Sequence, residues 1–119
     1  MVEYYRFKEL HSFQSRQQES RRALQSYPDR RTIICEKQYN QSDLPDIDKR
    51  KYLVTKELTV GQFIYVIRKR MRLTAEEALF VFVNNKLMPN SVSLWQIYAT
   101  NKDEDGFLYV RYAKENVFG

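Results

Sequence analysis

Residues 49–72 read KRKYLVTKELTVGQFIYVIRKRMR and hold a strand, a cap and a helix in one run. Tyr52, Leu53 and Val54 form a short β-branched and aromatic segment between basic and acidic flanks, which predicts a strand with apolar side chains on both faces. Such a strand needs two covers. Thr59 and Gln62 stand at capping-box spacing, the hydroxyl serving an orphan amide of the first turn while the glutamine reaches back to the cap backbone. From that cap Val60, Phe63, Ile64, Ile67 and Met71 fall on one helical face, and Arg68, Lys69, Arg70 and Arg72 crowd the end, where cations complement the macrodipole. The spacing predicts a helix over residues 59–72 lying on a sheet. Tyr65 and Val66 are left beside its core stripe, next to a strand that keeps one apolar face uncovered, and together these make a candidate docking surface.

Upstream, Arg30 and Arg31 lead into Thr32-Ile33-Ile34-Cys35-Glu36-Lys37, a compact β-branched strand. The polar residues 38–48, with Pro45 among them, form the loop of a long hairpin to the next strand. Before them, Ser12 caps a polar helix that runs to residue 26 and is stopped by Tyr27-Pro28. Phe13, Leu24 and Tyr27 share one side of it, but Gln17 and Ser20 interrupt the stripe, so it reads as an N-terminal addition resting on a preformed surface with little apolar area of its own. Downstream, residues 75–78 either continue or restart the helix, and Leu79-Phe80-Val81-Phe82-Val83 is a buried strand turned by Asn84-Asn85. Residues 88–91 are loop. Ser93 and Gln96 repeat the capping box and open a short helix through Leu94, Trp95, Ile97 and Tyr98. Residues 103–106 turn the chain into a last strand over 107–112, and residues 113–119 carry no pattern that would bury them. The order strand, strand, helix, strand, short helix, strand is that of a β-grasp domain.

At 119 residues the chain is long enough for one core but not two, and a composition 43% hydrophobic and 29% charged is globular, with no apolar run that would cross a membrane or act as a secretory signal. A single cysteine excludes an internal disulfide and suits a reducing, intracellular compartment. The net charge of +5 favours acidic partners: anionic lipid, nucleic acid or acidic peptide. Materials for catalysis are thin, since His11 is the only histidine and Cys35 lies inside a strand, where a cysteine is usually a small core residue. One His and one Cys cannot supply a zinc site. Asp103, Glu104 and Asp105 resemble a metal cluster but read beside Gly106 as a solvated turn, and the scattered Gly61, Gly106 and Gly119 form no phosphate-cradling loop. No cofactor is expected. Arg16, Arg21, Arg22, Arg30, Arg31 and the clusters at 49–51 and 68–72 could neutralise nucleic-acid phosphates, but the aromatics alternate with aliphatics as core residues do, without an RNP-like motif. A solvated basic face is the plainer reading, and no nucleic acid is expected as a partner.

Tyr27-Pro28-Asp29-Arg30, Glu36-Lys37, the run 48–54, Leu58-Thr59-Val60-Gly61-Gln62-Phe63, Ile67-Arg68-Lys69-Arg70, Phe82-Val83-Asn84-Asn85 and the run 104–109 closely resemble, in order, the GABARAP-like autophagy ubiquitin-like modifiers. The resemblance covers nearly the whole chain. It implies an α+β, ubiquitin-like β-grasp fold, a four-stranded mixed sheet with two additional N-terminal helices. As a single domain overall, it would comprise a helical extension over 1–28, a core over 29–112 and a flexible tail over 113–119.

The resemblance also implies function: a non-enzymatic modifier joined through Gly119 to phosphatidylethanolamine, which recruits cargo receptors and adaptors carrying aromatic-x-x-aliphatic peptides. Such peptides would add a strand to the edge at residues 49–56. Their aromatic residue would enter a pocket of Glu19, Ala23, Thr32, Ile34, Lys51, Leu53 and Phe107. Their aliphatic residue would enter a second pocket of Tyr52, Val54, Leu58, Phe63, Val66 and Ile67. Arg30, Lys49, Lys51 and Arg70 would hold acidic neighbours. Ala23 stands where the family usually has a larger aliphatic and Thr32 where it has proline, which implies a wider or more polar first pocket. The tail, with Val117 and the aromatic Phe118 before Gly119, would be adenylated and passed as a thioester through an activating and a conjugating enzyme. With nothing after Gly119 no priming would be needed, although the family's cysteine protease could still remove the lipid. Cytoplasm, autophagosomal membrane and delivery to vacuole or lysosome are the implied locations.

Overall fold

The computed structural model describes residues 5–39 and 44–115. Among these residues the nine elements are α1 (Arg6–Leu10), α2 (Phe13–Ser26), β1 (Arg31–Lys37), β2 (Lys51–Val54), α3 (Val60–Met71), β3 (Phe80–Val83), β4 (Lys86–Leu87), α4 (Leu94–Asn101) and β5 (Leu108–Ala113). α3 begins where the capping box places it: Thr59 Oγ1 accepts from the Gln62 amide and Gln62 Oε1 accepts from the Thr59 amide, and Ser93 with Gln96 repeats this at α4. α3 stops at Arg72, which caps it in the left-handed region at φ 56°. Residues 75–78 therefore neither continue nor restart it. The Arg68 guanidinium holds that turn by donating to the carbonyls of Thr74 and Glu77, while the Glu77 carboxylate accepts from the Thr74 amide.

The sheet has five strands rather than four, in the order β2-β1-β5-β3-β4. β1 and β5 run parallel and the other neighbours antiparallel, so it is mixed as expected. The additional strand follows from the Asn84-Asn85 turn, whose positive φ values of 51° and 64° suit a tight two-residue hairpin. Its two exposed residues, Lys86 and Leu87, are too few to show alternation.

Alternation along β1 sends Ile33 and Cys35 to one side and Ile34 to the other. The first side, with Val81, Leu108 and Val110, packs under Val60, Phe63, Ile67 and Met71 of α3 and Leu94 and Ile97 of α4. The second holds a smaller cluster in which Tyr5 and Phe7 cover Ile34, Phe107 and Tyr109. Phe7 is fully buried, so the N-terminal extension carries more apolar anchorage than its polar sequence implies. The Glu36 carboxylate secures α1 by accepting from the amides of Arg6 and Phe7, both at 2.8 Å.

α2 starts at the Ser12 cap, but the face it buries is not the expected one. Phe13 and Tyr27 remain exposed, and Arg16 and Ser20 turn inward. Arg16 Nη1 lies 2.5 Å from Asp105 Oδ2, the Ser20 hydroxyl donates to the Asp105 carbonyl, and the Tyr109 hydroxyl donates to the same carboxylate. Asp105 Oδ1 also accepts from the Phe107 amide at 2.9 Å. Residues 103–106 are thus not a wholly solvated turn, because Asp105 has no exposed surface and anchors α2. Gly106, at φ 93°, is required there twice over: its backbone is left-handed, and a Cβ would fall on Ser20 Oγ. β5 takes in Ala113, one residue of the segment read as tail, while Val117, Phe118 and Gly119 lie outside the described residues.

Candidate functional site

Among the described residues β2 forms one edge of the sheet and pairs only with β1, with Lys51 opposite Ile34 and Leu53 opposite Thr32. Its alternation is sharp: Tyr52 and Val54 are buried, whereas Lys51 and Leu53 are exposed. An edge strand offers unpaired backbone groups to an incoming strand. Beside it, a cleft of about 430 Å³ is lined by Glu19 and Ala23 of α2, Arg30, Thr32, Lys49, Lys51, Tyr52, Leu53 and Phe107. Six of the residues assigned to the first pocket, Glu19, Ala23, Thr32, Lys51, Leu53 and Phe107, are brought together here. Ile34 is not on the wall but fully buried in the cluster that Phe107 shares.

The cleft is basic but partly self-neutralised. Lys51 Nζ lies 2.7 Å from Glu19 Oε2 and 5.3 Å from the centre of the Phe7 ring. Lys49 Nζ sits 5.1 Å over the Tyr52 ring, and Arg30 Nε is 3.7 Å from Asp29 Oδ2. Arg70 does not line this cleft and instead grips the Asp48 carboxylate from two nitrogens, at 2.9 and 3.3 Å. Thr32 Oγ1 donates to the Gly106 carbonyl at 2.9 Å, so the threonine spends its hydroxyl on the fold.

The residues assigned to the second pocket divide differently. Tyr52, Val54, Phe63 and Ile67 are buried core, with the Tyr52 and Phe63 rings meeting edge-on at 5.2 Å. Leu58 is half-buried and Val66 exposed, so the accessible part of this set is these two side chains, one between β2 and α3 and one on α3. Burial pushes the Tyr52 phenol well above its ordinary value. Its hydroxyl has no hydrogen-bond partner among the described residues.

Cys35 is fully buried and its thiol is pushed far up by burial, with the Glu36 charge adding to the effect, which removes the thiolate a nucleophile needs. His11 closes the C-terminal end of α1 and rests 4.7 Å from the Phe7 ring. Sequence reasoning overlooked the residues that position the α2 wall, Arg16, Asp105 and Tyr109. Their only local signal was an arginine at an interior helix position and an aspartate in an apparent turn.

The family described as "Autophagy protein Atg8 ubiquitin like" matches residues 15–119. The "Autophagy-related protein 8" of Candida albicans is 57% identical over 113 residues, covering 95% of this chain and 83% of that protein. That of Mycosarcoma maydis is 54% identical over 113 residues, covering 95% of each. The crystal structure of Trypanosoma brucei ATG8 superposes with a TM-score of 0.88 at 47% identity, covering 93% of this chain and 95% of that one.

Proposed function

Because the chain belongs to the Atg8 family of ubiquitin-like autophagy proteins, we propose that it is a lipid-anchored adaptor that presents peptide-bearing cargo receptors to autophagosomal membranes. The observation that carries this reading is the cleft beside an open sheet edge. A bound segment adds its backbone to β2, its aromatic side chain enters between α2 and Leu53, and its aliphatic side chain two residues further rests on Leu58 and Val66. Lys49, Lys51 and Arg30 attract acidic neighbours, Lys51 by exchanging its partner Glu19. Tyr52, Val54, Phe63 and Ile67 support that contact from within.

Gly119 is the proposed point of attachment to phosphatidylethanolamine, with Phe118 and Val117 read by the activating and conjugating enzymes and by the cysteine protease. A glycine lets the backbone thread a narrow cleft where a side chain would clash. No helix of the described residues is long and apolar enough to cross a membrane, so a covalent lipid is the anchor this reading requires. The reaction chemistry then belongs to the partner enzymes.

Two variants test the two halves separately. Leu53→Ala combined with Lys51→Ala abolishes binding of an aromatic-x-x-aliphatic peptide in calorimetry while leaving the melting curve close to the parent; a collapsed fold would make Leu53 a core residue. Gly119→Ala keeps peptide binding but stops lipid attachment and membrane recruitment, and an unchanged lipidated band would remove Gly119 from the mechanism.

A further inference from the structure

A second cleft, of about 500 Å³, opens on the other flank of α2, toward α4. Arg21, Arg31 and Lys102 line it together with Leu24, Pro28 and Tyr98. Two consecutive arginines, one just before β1 and one at its start, are divided between the clefts: Arg30 lines the first and Arg31 the second.

Arg31 is held in advance of any ligand. Its guanidinium carbon lies 4.0 Å over the Trp95 ring and 5.8 Å from that of Tyr98, and Nη1 donates to the carbonyls of Pro28 and Arg30. Trp95 is itself fixed by its indole N–H, which donates to the Val54 carbonyl at 2.9 Å. Lys102 Nζ sits 5.7 Å from the Tyr98 ring, so two cations share one aromatic. Elsewhere Lys8, Arg16, Lys37, Arg50, Lys51 and Arg70 each meet a carboxylate, but among the described residues Arg21, Arg31 and Lys102 form no ion pair. A planar, stacked guanidinium loses little freedom on taking up a carboxylate, which suits it to recognition.

We propose that this second cleft binds an acidic peptide segment, its carboxylates on Arg31 and Lys102 and an aliphatic neighbour against Leu24, Pro28 and Tyr98. The apolar lining is surface that a bare phosphate or lipid headgroup could not use. Glu104, also on the wall, disfavours a multiply charged phosphate more than a single carboxylate. Since the two clefts lie on opposite flanks of α2, this peptide and an occupant of the first cleft bind together.

Trp95 is the only tryptophan and lies under Arg31, so its emission reports occupancy. The probe is a short acetylated and amidated peptide of alternating glutamate and leucine, titrated at low salt. A saturable emission change is expected, weakened about five-fold by Lys102→Gln or Arg31→Gln. Glu104→Gln should strengthen it, while Leu53→Ala and a saturating aromatic-x-x-aliphatic peptide leave it unchanged. Lys102 and Glu104 are exposed, so their variants keep the fold and decide the matter even if Arg31→Gln disturbs Trp95. The proposal is overturned if both exposed variants bind as the parent does or if the aromatic peptide displaces the probe. It is equally overturned if vesicles containing a phosphatidylinositol phosphate give a Lys102-dependent change and the peptide gives none.

Discussion

The two faces of the sheet are closed by different physics. Under α3 and α4 the cover is almost wholly apolar, a continuous cluster in which Val60, Phe63, Ile67 and Leu94 meet Ile33, Val81, Leu108 and Val110. Under α1 and α2 the apolar cluster is small, and much of the attachment runs through directed contacts: Arg16 and Tyr109 on the Asp105 carboxylate, Ser20 on the Asp105 carbonyl, and Glu36 on two amides of α1. Apolar burial is non-directional and tolerates small shifts, whereas a buried ion pair holds one geometry and is costly when half of it is removed. Both clefts border α2, the helix held in the second way. Its position relative to β2 sets the width of the first.

The widest break in this contrast is deletion of residues 1–26. The α3 face remains complete, so cooperative thermal unfolding should persist, but Ile34, Phe107 and Tyr109 lose their cover. We expect a midpoint lower by more than about 10 °C and new binding of a hydrophobic dye, since ~1 kcal/mol moves a domain of this size by several degrees. Loss of the cooperative transition would show that the two faces fold as one unit.

Single substitutions sharpen the contrast. Leu108 is fully buried on the α3 face, and Leu108→Ala should cost about 4 kcal/mol, seen as a lower urea midpoint and faster hydrogen exchange throughout the sheet. Asp105→Ala leaves the largely buried Arg16 charge without its carboxylate and should cost about 3 kcal/mol. Its loss of exchange protection should concentrate in α1 and α2 while α3 keeps its own. Equal loss in α3 would show that the two faces are not held independently.

Most of the local structure was legible in residue order. The capping boxes at Thr59 and Ser93, the Ser12 cap, the apolar period of α3 and the Asn84-Asn85 turn each depend on residues within four positions of one another, and each forms as read. The residues around the first cleft came from family resemblance rather than from spacing, since Glu19, Thr32, Leu53 and Phe107 belong to four separate segments. The face chosen by α2 was misread because Phe13, Leu24 and Tyr27 looked like its contact side, whereas Asp105, with which Arg16 pairs, lies 89 residues away.

The smallest expected effect is at Lys8 and Asp103, whose 2.6 Å ion pair ties α1 to the turn before β5. Burial works to raise the Asp103 carboxyl, but the bond from Lys8, the Asp105 amide and the charges of Lys8 and Arg16 outweigh it and hold it below its ordinary value. A lowered folded-state value means the stabilisation is present above the unfolded value near 3.8 and is lost as pH falls through the folded one. Asp103→Asn should therefore cost less than about 1 kcal/mol at neutral pH and flatten the acid limb of the stability profile. An acid limb as steep as the parent's would assign that slope to other carboxylates.

What the sequence by itself determined is the set of elements and their ends, because hydrophobic period, caps and turn residues act over one or two helical turns. Tertiary structure alone decided that Asp105 is a buried anchor rather than a solvated turn and that α2 docks by its polar side. It also decided that Arg30 and Arg31 line different clefts and that Lys86 and Leu87 extend the sheet. Each of these depends on which distant group completes a charge, a hydrogen bond or a strand edge, and such partners meet only when the chain has closed.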